Sequence, residues 1–226
     1  MIWYVDIEHK DAVNDPRLAP NFNTVRAERT RIVGECAGMH SQSIHYWDVS
    51  QQLAEQKDVR AIVISGNTTD WEKYDFTTFE PLFHLVKSGK MPTIGLCGGH
   101  QLIALMYGGK CDAIRKLHPG EPELAEWAPG YFKEVGFMPI NVVAEDGLFA
   151  GMGKAPVLFE SHYWQITELP VEFKLLASTE NVKMQCIRHR TQPVYGTQFH
   201  PEVHDPAHMD GNLLLRNFFR VTGVSK

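Results

Sequence analysis

No apolar run in this 226-residue sequence approaches the roughly 18 residues that a membrane helix needs. A transmembrane protein is therefore not expected. The opening MIWYVDIEHKD acquires acidic residues too early to serve as a secretory leader, and a cytoplasmic location is the matching expectation. Basic residues are in deficit. The 22 Lys and Arg against 27 Asp and Glu leave a formal net charge of -5, which argues against general affinity for nucleic acid or an anionic membrane. Cysteines are few: Cys36, Cys97, Cys111 and Cys186 lie far apart in apolar surroundings, unlike the disulfide framework of a small secreted domain. Reduced thiols are expected, three of them as core residues. P-loop glycines, internal repeats, low-complexity stretches and interdomain linkers are all lacking, so a single domain over residues 1–226 is expected.

What the first 110 residues contain is an alternation. The stretches 2–7, 43–49, 60–66 and 92–97 are short, rich in β-branched or aromatic residues and bounded by turn formers, and read as strands. Between them 24–39, 50–57, 76–89 and 99–107 read as helices, with Gly89 and Gly108 as stops. That order predicts parallel strands sandwiched between helices. From Cys111 onward the pattern changes to short strands with polar connections, at 111–117, 133–143, 155–161, 173–178, 183–189 and 193–200, which suits antiparallel pairing added to a parallel core. A last helix is expected over 211–223, with Leu213, Leu214, Asn217 and Phe218 on one face. The proline- and glutamate-rich stretch 118–130 reads as a surface loop suited to contact with something else.

Chemistry concentrates where TIGLCGGHQLIALMYGG, residues 93–109, turns from strand to helix. In open α/β sheets functional groups collect at the carboxyl ends of strands, and Cys97 sits at such an end. Gly95, Gly98 and Gly99 clear side chains from the turn, and the N-terminus of the next helix favours a thiolate. A small residue simply buried at a strand end is the competing reading, since free cysteine is often buried. A nucleophilic thiol needs a base, and the base needs an orienting carboxylate. PVYGTQFHPEV supplies both: His200 and Glu202 come after a strand, separated by Pro201, which fixes the local backbone. If that strand lies beside the one ending at Cys97, His200 reaches the thiol and Glu202 holds its ring.

GLCGGHQ, with GTQFHPE about a hundred residues later, resembles the class I glutamine amidotransferases. The resemblance covers nearly the whole chain. It implies a three-layer α/β/α sandwich of the flavodoxin-like kind, mostly parallel, with added antiparallel strands. It also implies that Cys97 is the nucleophile, His200 the general base and acid, and Glu202 the residue that orients His200. Gly98 would give one oxyanion donor through its backbone amide. The loop after the third strand, ISGNTTDW, would give the second, from Gly66 or Asn67. In that loop the family more often carries two glycines and then proline. Here Asn67 stands at the second glycine; asparagine tolerates left-handed backbone angles better than most residues.

Gln101 matches the family position that helps hold glutamine, and FESHYWQITELP is similar to the stretch whose backbone meets its amino acid end; Ser161 and His162 fit it, Tyr163 does not, and all three are candidate substrate contacts. The family usually has glycine where Tyr163 stands, so Tyr163 and Trp164 would reshape or cover the pocket. The implied reaction is hydrolysis of a γ-amide through a thioester, giving glutamate and ammonia, and it calls for no metal or organic cofactor. A separate synthetase would receive the ammonia, because no synthetase portion is encoded. A γ-glutamyl peptidase acting on larger γ-glutamyl compounds is the second reading, and a non-enzymatic interaction protein on the same scaffold the third.

Other signals weigh less. His200, His204 and His208 recur every four residues, a metal-binding spacing on a helix, but Pro201 and Pro206 interrupt any such helix and solvated loop histidines are expected. His100 belongs to the helix start. Trp127 and Trp164 read first as packing residues, with Trp164 closest to the matched substrate stretch, and the acidic 121–126 reads as a solvated face that could also dock a partner.

Overall fold

The computed structural model describes residues 1–55 and 58–225. Its first half is built from β1 (Ile2–Asp6), α1 (Lys10–Asn14), α2 (Ala19–Ala37), β2 (Ser41–His45), α3 (Val49–Glu55), β3 (Ala61–Ile64), α4 (Glu80–Lys87), β4 (Thr93–Leu96) and α5 (Gly98–Met106). The second half adds β5 (Lys110–Ala113), β6 (Glu134–Pro139), β7 (Asn141–Val142), β8 (Val157–His162), β9 (Trp164–Glu168), β10 (Phe173–Ser178), β11 (Cys186–His189), β12 (Val194–Thr197) and α6 (Asp210–Val221). The main sheet runs β2-β1-β3-β4-β12-β11-β10-β7, parallel from β2 to β12 and antiparallel beyond it. Two further pairs, β5 with β9 and β6 with β8, are antiparallel ribbons.

Strand geometry sends alternate side chains to opposite faces, and the apolar runs of β1 and β3 feed two cores at once. Ile2, Tyr4, Ala61 and Val63 pack with α2 and α6, against Ile32, Val33, Leu214 and Phe218. Trp3, Val5, Ile62 and Ile64 face the opposite way, toward Leu82 and Val86 of α4 and Leu102 and Ile103 of α5. This is the expected three-layer α/β/α sandwich. Phe218 and Phe219 of α6 are wholly buried; each contributes about 1.5–3 kcal/mol by leaving water. Among the described residues no helix is long and apolar enough to cross a membrane.

Local departures from the expected elements have packing causes. The strand expected over 43–49 ends at His45, because Tyr46 turns inward to stack on Phe79 with ring centroids 4.2 Å apart, and 46–48 form a 3-10 turn. The helix expected from Thr24 starts five residues earlier, with Pro20 in its first turn, where a missing N–H costs nothing. Residues 76–79 form a 3-10 turn before α4, held at the start by Asp75, which accepts the Thr77 N–H at 3.0 Å. Gln56 and Lys57, at the end of the helix expected over 50–57, lie outside the described residues. Neither α1 nor β9 was expected. On α6, Leu214 is buried and Leu213 only partly so.

The consequential pairing is β12 beside β4, with Thr197 opposite Leu96 and the Cys97 N–H donated to the Thr197 carbonyl at 2.7 Å. It sets the chain leaving β12 against the chain leaving β4.

Candidate active site

Cys97 occupies the single-residue junction between β4 and α5, with φ 50° and ψ -107°. A left-handed φ on a residue that carries a Cβ is strained, and the neighbouring glycines make it tolerable. A Cβ on Gly99 would lie 2.5 Å from the Ile64 carbonyl oxygen, and one on Gly98 would collide with the Asn67 side chain. The elbow is therefore wedged against the end of β3. Burial raises the other thiols, Cys36 to about 11, Cys111 to about 12 and Cys186 well above its ordinary value. Cys97 borders a cavity on each side.

His200 leaves the end of β12 and is tied to β8 by its N–H, which the Phe159 carbonyl accepts at 2.8 Å. Its Nδ1 meets Glu202 Oε1 at 2.7 Å. Burial works against a charge on His200, but the Glu202 carboxylate and the Cys97 sulfur beside it hold its pKa well above the ordinary imidazole value. For Glu202 burial works the other way, and His200 overcomes it to keep the carboxyl below its usual range. Gly66 marks how closely the groups approach: a Cβ there would sit 3.2 Å from His200 Cε1 and 3.4 Å from Cys97 Cβ.

One cavity, about 410 Å³, lies between Cys97, the 67–71 stretch, Gln101, residues 161–164 and the loop residues Trp127 and Ala128. The other, about 270 Å³, lies on the His200 side and reaches Asp6, Glu8, Arg26 and Arg29. Ser161 borders both. Across the first cavity the Tyr163 hydroxyl donates to Asp70, and the ring stands 6.0 Å from Trp127. Gln101 lines the same cavity with its amide already committed. Its Nε2 donates to the Trp164 carbonyl at 3.2 Å and to Gln198 Oε1 at 3.1 Å, while its Oε1 accepts from Trp71 Nε1 at 2.9 Å. Gln198 in turn donates to the Cys97 sulfur at 3.6 Å.

His162, expected at the substrate's amino acid end, turns its imidazole away into the interior. Nδ1 donates to the Trp164 carbonyl at 2.8 Å, and Nε2 lies 3.2 Å from Glu134 and 3.1 Å from Glu160. All three side chains are sealed from solvent. Burial opposes a charge on His162, yet Glu134 and Glu160 outweigh it and raise the imidazole to about 10. Ligand atoms of these three residues fall within 4.8 Å of one another, as a metal site would require. Burial also pushes the Glu160 carboxyl up, against the pull of His162.

The other three histidines that the sequence singled out have separate occupations. His204 Nδ1 donates to the Pro201 carbonyl at 3.2 Å, while His208 pairs with Asp205 at 3.0 Å and stacks on Phe137. Among the described residues they form no metal-holding group with His200. Burial lowers His100 to about 3, and its Nε2 donates to the Met184 carbonyl at 2.8 Å. Sequence reasoning did not single out Asp70, Trp71, Gln198, Glu134, Glu160 or Glu8. Gln198 stood in plain view inside TQFHPE.

The family model for glutamine amidotransferase class-I matches residues 19–221. A protein from Methanocaldococcus jannaschii, named as a subunit of glutamine-hydrolyzing GMP synthase, is 30% identical over 187 residues, covering 82% of this chain and 86% of that one. A protein of the same name from Pyrococcus abyssi is 37% identical over 133 residues, 59% of this chain and 61% of its own length. Among solved structures, one described as a putative GMP synthase subunit from Thermoplasma acidophilum shares the fold, with a TM-score of 0.72 at 23% identity, over 99% of this chain and 94% of that one.

Proposed function

The chain belongs to the class I glutamine amidotransferases, whose family model spans residues 19–221, and from that premise we propose that it hydrolyses glutamine through a thioester on Cys97 and supplies ammonia to a separate synthetase subunit. The observation that carries this reading is the strained elbow at Cys97 facing an imidazole that Glu202 grips at 2.7 Å. We read residues 1–226 as one catalytic domain.

In the proposed reaction the Cys97 sulfur attacks the γ-carbonyl carbon, and the π electrons move onto oxygen. The Gly98 and Asn67 amides receive that oxyanion. Among the described residues neither N–H has an acceptor, and the Asn67 nitrogen lies 3.0 Å from where a Gly98 Cβ would stand. Gly66 contributes mainly room for His200 and Cys97 to meet. His200 gives its proton to the departing nitrogen, and ammonia leaves. Water then adds to the thioester carbonyl while His200 takes its proton, and the thiolate departs to leave glutamate. Glu202 holds the ring through both steps. The amino acid end of the substrate lies toward Ser161, Tyr163 and Asp70, with the main chain of His162 and the Gln101 amide forming the wall behind it.

Relatives named as a subunit of a glutamine-hydrolyzing GMP synthase support delivery to a partner chain. One observation favours the γ-glutamyl peptidase reading as runner-up: the cavity of about 410 Å³ beside Cys97 is also lined by Trp127 and Ala128, so that a group larger than glutamine would meet the 118–130 stretch. Ammonia and glutamate release, measured with glutamine and with a γ-glutamyl dipeptide, in the absence and presence of the synthetase subunit, separates the two. Glutamine turnover that rises with the synthetase supports the proposal. Cleavage of the dipeptide alone would replace it with the peptidase.

A further inference from the structure

The loop that carries Asn67 lacks the proline that usually stiffens it in the family; Thr68 stands in that place. A loop that offers an oxyanion donor must hold its amide still before charge develops, because reorganisation during the reaction would consume the stabilisation. Here the restraint comes from a side chain 60 residues upstream. Glu8, 3% exposed just beyond β1, accepts four hydrogen bonds. Its Oε2 takes the Thr68 N–H at 2.6 Å and the Thr68 hydroxyl at 2.9 Å. Its Oε1 takes the Thr69 hydroxyl at 2.7 Å and the His9 N–H at 2.9 Å. A proline at position 68 could not make the first of these bonds.

The rest of the loop is pinned from the same direction. Ser65 accepts the Ile7 N–H at 3.0 Å and donates to the Gly66 carbonyl at 2.7 Å. The Asn67 side chain donates to the Thr69 carbonyl at 2.6 Å and to the Tyr74 hydroxyl at 3.2 Å, and Tyr74 donates to the Ile7 carbonyl at 2.9 Å. The Asn67 backbone N–H is thus left uncommitted on a loop whose neighbours are all tied down.

We propose that Glu8 is a positioning residue, a carboxylate clamp that preorganises the 66–69 loop so that the Asn67 amide faces the oxyanion. The inference rests on the reading of Asn67 as an oxyanion donor. It predicts a selective defect. In Glu8→Gln one carboxylate oxygen becomes an NH2 group, and on either side that group confronts a backbone N–H donor.

The test compares two reactions of Cys97 in the full chain with its synthetase subunit. Glutamine hydrolysis passes through an oxyanion, whereas alkylation by iodoacetamide displaces iodide at a saturated carbon and does not. Glu8→Gln is expected to lower kcat for glutamine about 10- to 100-fold, with KM within about threefold, since loss of an oxyanion donor costs about 10²–10³ in rate. Its alkylation rate is expected to stay within about twofold of wild type. Thr68→Val, which removes one clamp hydroxyl and keeps the N–H, gives a smaller selective drop and carries the test if Glu8→Gln fails to fold. An active wild type with unchanged kcat in the folded variants overturns the clamp, as does an equal fall in hydrolysis and alkylation. A wild type inactive on glutamine and on the dipeptide instead overturns the underlying reading of the site.

Discussion

Two imidazole-carboxylate clusters lie near Cys97, made of the same chemical groups and differing in access. His200 keeps 17% of its side-chain surface exposed, has one carboxylate partner on Nδ1, and leaves its other nitrogen toward the sulfur. His162 is 2% exposed and uses both nitrogens, one on a carbonyl and one between two carboxylates. Both imidazoles are raised. A raised pKa therefore does not by itself mark a proton shuttle; a free nitrogen beside a cavity and a reactive atom does. The sealed cluster instead fastens the 161–164 segment, which walls the substrate cavity, to β6.

Breaking the open cluster has the largest expected effect. His200→Ala should lower kcat for glutamine by about 10⁴-fold, because the proton shuttle is gone, while circular dichroism shows a retained fold. His162→Gln should do the reverse. Removing one partner from a buried ionic cluster costs about 3–5 kcal/mol of stability, readable in urea unfolding, with a smaller loss of kcat in the folded fraction. Next comes Glu202→Gln, which weakens orientation without removing the shuttle; a loss of kcat smaller than that of His200→Ala is expected from steady-state kinetics.

The smallest effect sharpens the contrast through pH. His162 rises from about 6.5 in the unfolded chain to about 10 when folded, so its contribution to stability is complete below about pH 6.5 and is lost as pH climbs through about 10. Urea midpoints of wild type should fall between pH 6.5 and 10 more steeply than those of His162→Gln. Parallel profiles would mean that the sealed imidazole carries no proton of consequence.

How legible all this was depended on sequence distance. The elbow is contiguous, so glycines, cysteine and the helix behind it announce themselves within seven residues. The β10 strand, 173–178, and α6 were readable from local apolar periodicity. His200 reached Cys97 only through the β4–β12 pairing, a condition that the sequence could state but not establish. The sealed cluster depends on the β6–β8 register, which sets Glu134 opposite His162 and Gly136 opposite Glu160. One local signal was available: Leu158, Glu160 and His162 alternate along β8 on its buried face, an acid and an imidazole where apolar residues are the rule. Glu8 offered less, since an acid after a buried strand is ordinary until β1 and β3 are known to be neighbours. Tyr46 departed from its strand for a partner, Phe79, that lies 33 positions away and that no local pattern names.

The most direct test of the central claim is the rate of ammonia release from glutamine by wild type and by Cys97→Ala, side by side with the synthetase subunit present. The account predicts equimolar ammonia and glutamate from wild type and none above background from a folded Cys97→Ala. Comparable release by both would show that Cys97 is not the nucleophile.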